Sequence, residues 1–65
     1  MNYLAENLKL LRKTKGLTQA DVATKLGLTR SLVGAYEEGR SEPKLKTLQA
    51  ICLFFKVHLN ELVNE

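Results

Sequence analysis

Gly16, Gly27, Gly39 and Pro43 cut the 65-residue chain into short segments, and this punctuation constrains the fold more than any other feature. Between these breakers the apolar side chains recur at helical spacing, with no sustained alternation of the kind a strand requires. The spacing predicts an all-α fold in a single domain, residues 1–65, without linker, repeat or low-complexity tract. A chain this small buries only about 60% of the surface its unfolded form exposes, so each apolar core residue counts.

The first segment, about Tyr3 to Lys15, carries Leu4, Leu8 and Leu11 at i, i+4, i+7, with Glu6, Lys9, Arg12 and Lys13 on other faces. It reads as an amphipathic helix stopped at Gly16. Thr18 is a good N-cap for a second helix, and Asp21 stands where a capping box wants Glu, with a shorter reach. Leu17 and Val22 have staple spacing, and Gly27 ends this helix after Leu26. Thr29 caps a third helix, Leu28 and Val33 repeat the staple, and Leu32, Val33 and Tyr36 supply its buried side before Gly39. The three-residue link Gly27-Leu28-Thr29 forces the second and third helices to cross steeply. A fourth helix runs from Leu45 to about Phe55 on the stripe Leu48, Ile51, Cys52, Phe55. A fifth, about Leu59 to Val63, has Glu61 three residues after His58, with His58 a mediocre cap.

Composition narrows the function. Hydrophobic residues at 45% and charged residues at 26% describe an ordinary globular protein. One cysteine forms no internal disulfide, and Cys52 with His58 cannot supply the four ligands of a structural zinc site. Cys52 sits on an apolar stripe and reads as core. No apolar run approaches the roughly 18 residues of a membrane span and no signal-peptide pattern opens the chain, so a cytoplasmic setting is expected. A single His, a single Cys, no phosphate-binding glycine loop and no clustered carboxylates leave no catalytic constellation, and neither an enzyme nor a cofactor is expected. The net charge of +3 is unevenly spread: residues 1–33 hold six basic and two acidic side chains, residues 34–65 four and five. A basic first half suggests a surface facing a polyanion.

Two short helices joined by a glycine-containing turn, about residues 18–37, form a helix-turn-helix pattern. The run Gly16-Leu17-Thr18-Gln19, Val22-Ala23, Leu26-Gly27-Leu28-Thr29, Val33, Tyr36-Glu37-Glu38-Gly39-Arg40 and Pro43 resembles the XRE family of lambda-repressor- and Cro-like regulators. The likeness continues through Leu48, Phe55, Val57 and Leu62, covering nearly the whole chain. It implies a five-helix, lambda-repressor-like domain that binds double-stranded DNA, with the third helix (about 30–37) in the major groove.

Under that resemblance Thr29, Arg30 and Ser31 open the recognition helix, and Arg30 can make the bidentate contact to guanine O6 and N7. Gly34 stands where relatives often carry longer polar side chains; close approach to DNA and a tolerated surface glycine are both open readings. Ala35 is either a thymine-methyl contact or filler. Gln19 grips the DNA backbone or braces recognition residues, and Arg40 and Lys44 extend the phosphate clamp, whereas Lys15 reads as a solvated charge. Glu38 and Glu42 lie in the same loop and oppose DNA unless they point away. The resemblance also implies a structural ion pair between Arg12 and Glu37, fixing the recognition helix against the domain. Leu53, Phe54, Leu59 and Val63 leave the C-terminal helices apolar on more than one face, which predicts a homodimer with recognition helices about 34 Å apart. The other reading is a protein-interaction module, an antitoxin or adaptor with the same fold and an unknown protein partner. Salt separates the two, because binding through phosphates weakens steeply with salt.

Overall fold

In a computed structural model, which describes residues 3–65, the chain forms five α-helices: α1 Leu4–Thr14, α2 Gln19–Leu26, α3 Arg30–Glu37, α4 Leu45–Phe55 and α5 Leu59–Val63. No strand occurs among the described residues. Helix α2 packs on α3 and α4, α1 on α3 and α5, and α4 on α5. The core lies between them: Leu4 and Leu8 from α1, Val22 and Ala23 from α2, Val33 and Tyr36 from α3, Ile51 and Phe55 from α4, and Leu62 from α5.

Local chemistry explains the helix ends. Thr18 Oγ1 accepts from the Asp21 N–H at 3.0 Å while the Asp21 carboxylate accepts from the Thr18 N–H at 2.9 Å. The shorter acid therefore completes the capping box. Thr29 Oγ1 accepts from the Leu32 N–H at 3.1 Å and starts α3. At Gly27 the backbone turns left-handed (φ +68°), which a glycine adopts without steric cost. The Leu28 N–H then reaches back to the Ala23 carbonyl at 2.8 Å, and α3 begins within three residues. Helix α4 ends with the same kind of turn on a residue less suited to it. Lys56 sits at φ +58°, and the Val57 N–H donates to the Cys52 carbonyl at 3.0 Å.

The shortest helix is held from outside. The Asn7 side-chain amide donates to the carbonyls of Leu62 (2.8 Å) and Asn64 (2.7 Å), and the Tyr3 N–H donates to the Val63 carbonyl at 2.8 Å. These bonds satisfy carbonyls that the end of α5 leaves without helical partners. The Glu61 carboxylate accepts from the His58 N–H at 2.7 Å at its other end.

Helix α1 departs from the expected stripe. Its buried positions are Leu4, Leu8 and Arg12, while Leu11 is only half-buried. Arg12, expected on another face by its charge, continues the buried row because partners for its guanidinium wait at its end.

Candidate nucleic-acid interface

Those partners belong to α3 and to the turn before α2. Arg12 Nε donates to Glu37 Oε2 at 2.7 Å, a second guanidinium nitrogen donates to Glu37 Oε1 at 2.9 Å, and the third donates to the Leu17 carbonyl at 2.8 Å. The two side chains are 10% and 2% exposed. Gln19, the first residue of α2, donates from Nε2 to Glu37 Oε1 at 3.1 Å. One carboxylate at the end of α3 thus ties together the first three helices. Burial alone pushes the Glu37 carboxyl up, but the hydrogen bonds from Arg12 and Gln19 and the positive charges of Arg12 and Lys9 outweigh it. Its pKa lies below the usual carboxylate range. Bonding to the same carboxylate raises the pKa of Arg12. The Asp21 pKa is lowered by its hydrogen bonds with Thr18.

With the end of α3 anchored, its beginning is left in solvent. Thr29, Arg30 and Ser31 are all exposed, and no carboxylate among the described residues pairs with Arg30. The Thr29 cap leaves this turn helical from its first residue, so the Arg30 side chain leaves a fixed backbone.

Gly34, read as either a DNA-approach position or a surface glycine, and Ala35, read as either a base contact or filler, are both buried. Helix α3 is eight residues long and packs against both α1 and α2, so residues beyond its first turn are largely enclosed. A Cβ on Gly34 would meet Gln19 Oε1 at 3.6 Å, so this glycine lies beneath the Gln19 amide and is not a surface position. Ala35 is 7% exposed, and its surroundings favour packing over a base contact.

Arg40 and Lys44 are exposed in and after the loop that follows α3. Arg40 is not unopposed: its Nε donates to Glu38 Oε1 at 2.7 Å, with both side chains over 60% exposed. The capping box of α2 places the Asp21 carboxylate, and not open N–H groups alone, at the start of that helix. Among the described residues no group of three or more His, Cys, Asp and Glu side chains could hold a metal ion. No helix of the described residues is long and apolar enough to cross a membrane.

The C-terminal helices expose several apolar side chains among polar ones. Leu53 is 79% exposed and Leu59 47%, with Val63 half-buried. Leu45, not anticipated as part of this surface, is 64% exposed. It lines a groove of about 350 Å³ with Leu48, Cys52, Val57 and Leu59. Two other features went unanticipated. The Gln19–Glu37 bond had no local signal. Asn7 had one, a poor helix former between Leu4 and Leu8 on a buried helix side.

A family model described as helix-turn-helix matches residues 8–62. The chain belongs to the helix-turn-helix family. The resemblance carried by the Gly-Leu-Thr-Gln and Glu-Gly-Arg segments is thereby borne out. Over 59 residues, 91% of the chain, it is 49% identical to the uncharacterized HTH-type transcriptional regulator YqaE of Bacillus subtilis (strain 168). It is 33% identical over 94% of its length to the cryptic phage CTXphi transcriptional repressor RstR of Vibrio cholerae. The chain spans 51% and 55% of these two relatives, respectively. A transcriptional regulator from Listeria innocua, known from its crystal structure, superposes with a TM-score of 0.92 at 30% identity. That match covers 97% of this chain and 59% of the other.

Proposed function

We propose that this helix-turn-helix domain binds double-stranded DNA sequence-specifically and serves a transcriptional regulator, a repressor, in the cytoplasm. The observation that carries this reading is the exposed Thr29-Arg30-Ser31 turn on a helix whose other end is locked to the domain. A rigid helix with a free first turn suits insertion into a major groove. There Arg30 reads guanine by its two-pronged contact, worth about 1–3 kcal/mol of discrimination, while Thr29 and Ser31 contact bases or phosphates. Gln19, Arg40 and Lys44 hold the phosphate backbone and set the register. Glu38 shares Arg40 with the incoming phosphate, so it moderates that contact.

The exposed leucines on α4 and α5 favour a homodimer through Leu53, Leu59 and Val63. A two-fold pair presents two recognition helices to a palindromic site. Selecting binding sites from a random duplex pool and measuring affinity across salt concentrations tests the reading. Enrichment of one site, with affinity falling steeply as salt rises, supports it. Equal affinity for every duplex, or insensitivity to salt, overturns it.

A further inference from the structure

Gln19 lies where three constraints meet. Its Nε2 is committed to Glu37 Oε1, so the two ends of the amide are distinguished. Its Oε1 passes over Gly34, 3.6 Å from where a Cβ would begin, and any side chain longer than alanine at that position would occupy its path. Glu37 in turn cannot swing toward Gln19 or away from it, because Arg12 holds both of its oxygens' positions by the fork from α1. An amide at the start of α2 could otherwise rotate freely and present either its oxygen or its nitrogen outward. Facing a phosphate, only the nitrogen end binds, since an amide oxygen repels the anion.

Resting on the DNA-binding reading, we infer that Glu37 is a positioning residue for DNA binding: across the space left by Gly34 it orients the Gln19 amide so that the remaining N–H of Nε2 faces the phosphate backbone. Glu37 touches no DNA in this account. Its effect on affinity passes through Gln19, and its effect on stability passes through Arg12. The two roles therefore separate in a double-mutant cycle.

The test uses the full chain and the best duplex selected from a random pool. Binding and thermal unfolding are measured for wild type, Gln19→Ala, Glu37→Met and the double variant; methionine keeps the length of the side chain but offers no oxygen to accept from Gln19. Glu37→Met should weaken binding by about tenfold in the wild-type background, the scale of one lost hydrogen bond. In the Gln19→Ala background it should weaken binding by less than about twofold, while lowering the unfolding temperature in both. Equal loss of affinity in both backgrounds overturns the inference. Should Glu37→Met be unfolded, Gly34→Leu decides the matter, since the atoms nearest a side chain begun there are those of the Gln19 amide and not of the Arg12–Glu37 fork. It should weaken binding in the wild-type background and not after Gln19→Ala, with Gly34→Ala losing far less than Gly34→Leu. Full affinity for Gly34→Leu, or the same loss in both backgrounds, overturns the inference. A wild-type chain that binds no duplex overturns the regulator reading itself, an outcome distinct from an additive cycle in a chain that binds.

Discussion

Arg12 and Glu37, 25 residues apart on α1 and α3, meet in a fork of two hydrogen bonds at 2.7 and 2.9 Å beneath the surface. Such a pair stabilises little relative to well-packed apolar residues, yet removing one partner strands the other charge in the interior. Glu37→Ala should therefore cost about 3–5 kcal/mol in urea unfolding, and Arg12→Met combined with Glu37→Leu should recover most of that loss. A single-variant cost below about 1 kcal/mol, the range of an exposed pair, would contradict the buried character of the fork.

Acid should weaken the fold in a defined direction. The Glu37 pKa is depressed in the folded state, and so is that of Asp21. An unfolded glutamate titrates at about 4.3. The stability these carboxylates contribute is fully present above that value and is lost as pH falls through their lower folded-state values. Denaturation midpoints should hold steady from pH 7 to about pH 5 and then drop, with a shallower drop in Glu37→Gln. A midpoint unchanged down to pH 2 would contradict the depressed values.

Lys56 closes α4 in a left-handed conformation (φ +58°), where an L side chain is unfavourable and glycine is not. Lys56→Gly should raise stability by roughly 0.5–1 kcal/mol, less the entropy that a glycine adds to the unfolded chain. Paired unfolding curves check this, and a clear destabilisation would mean that the Lys56 side chain makes a contribution of its own.

The parts of the fold legible in the sequence are those governed by neighbours along the chain. Thr18, Asp21, Gly27 and Thr29 act within four residues of themselves, so the bounds of α2 and the start of α3 follow from them directly. Leu45–Phe55 and Leu59–Val63 likewise match their apolar spacing. Arg12 is different: its pairing with Glu37 was implied by the family resemblance and is present, but its burial depends also on the Leu17 carbonyl, and by spacing alone a charge on a helix reads as solvent-facing. Gly34 and Ala35 are buried because α3 is enclosed beyond its first turn, a tertiary fact that no local pattern carries. The exposure of Thr29, Arg30 and Ser31 agrees with what the helix-turn-helix resemblance implied. The covering of Gly34 by Gln19 emerged only from the packing of α2 on α3.

Leu53 is 79% exposed on α4, so nothing in the monomer requires its side chain. Leu53→Glu should change monomer stability by no more than about 0.5 kcal/mol. If the C-terminal surface joins two copies, sedimentation at high micromolar concentration should shift from dimer to monomer, and operator affinity should fall with it. A wild-type chain that sediments as a monomer and binds DNA as one would contradict the dimer.

Arg30 and Arg40 differ in kind, since one stands at the free turn of α3 and the other in the loop beyond, paired with Glu38. The measurement that bears most directly on the account compares Arg30→Ala and Arg40→Ala against wild type on a selected duplex and its single-base variants, across salt. Arg30→Ala should lose about 1–3 kcal/mol of discrimination at one base pair and keep its preferences elsewhere. Arg40→Ala should weaken all duplexes about equally and flatten the salt slope by roughly one. Unchanged base preference after Arg30→Ala would mean that the exposed turn of α3 does not read DNA.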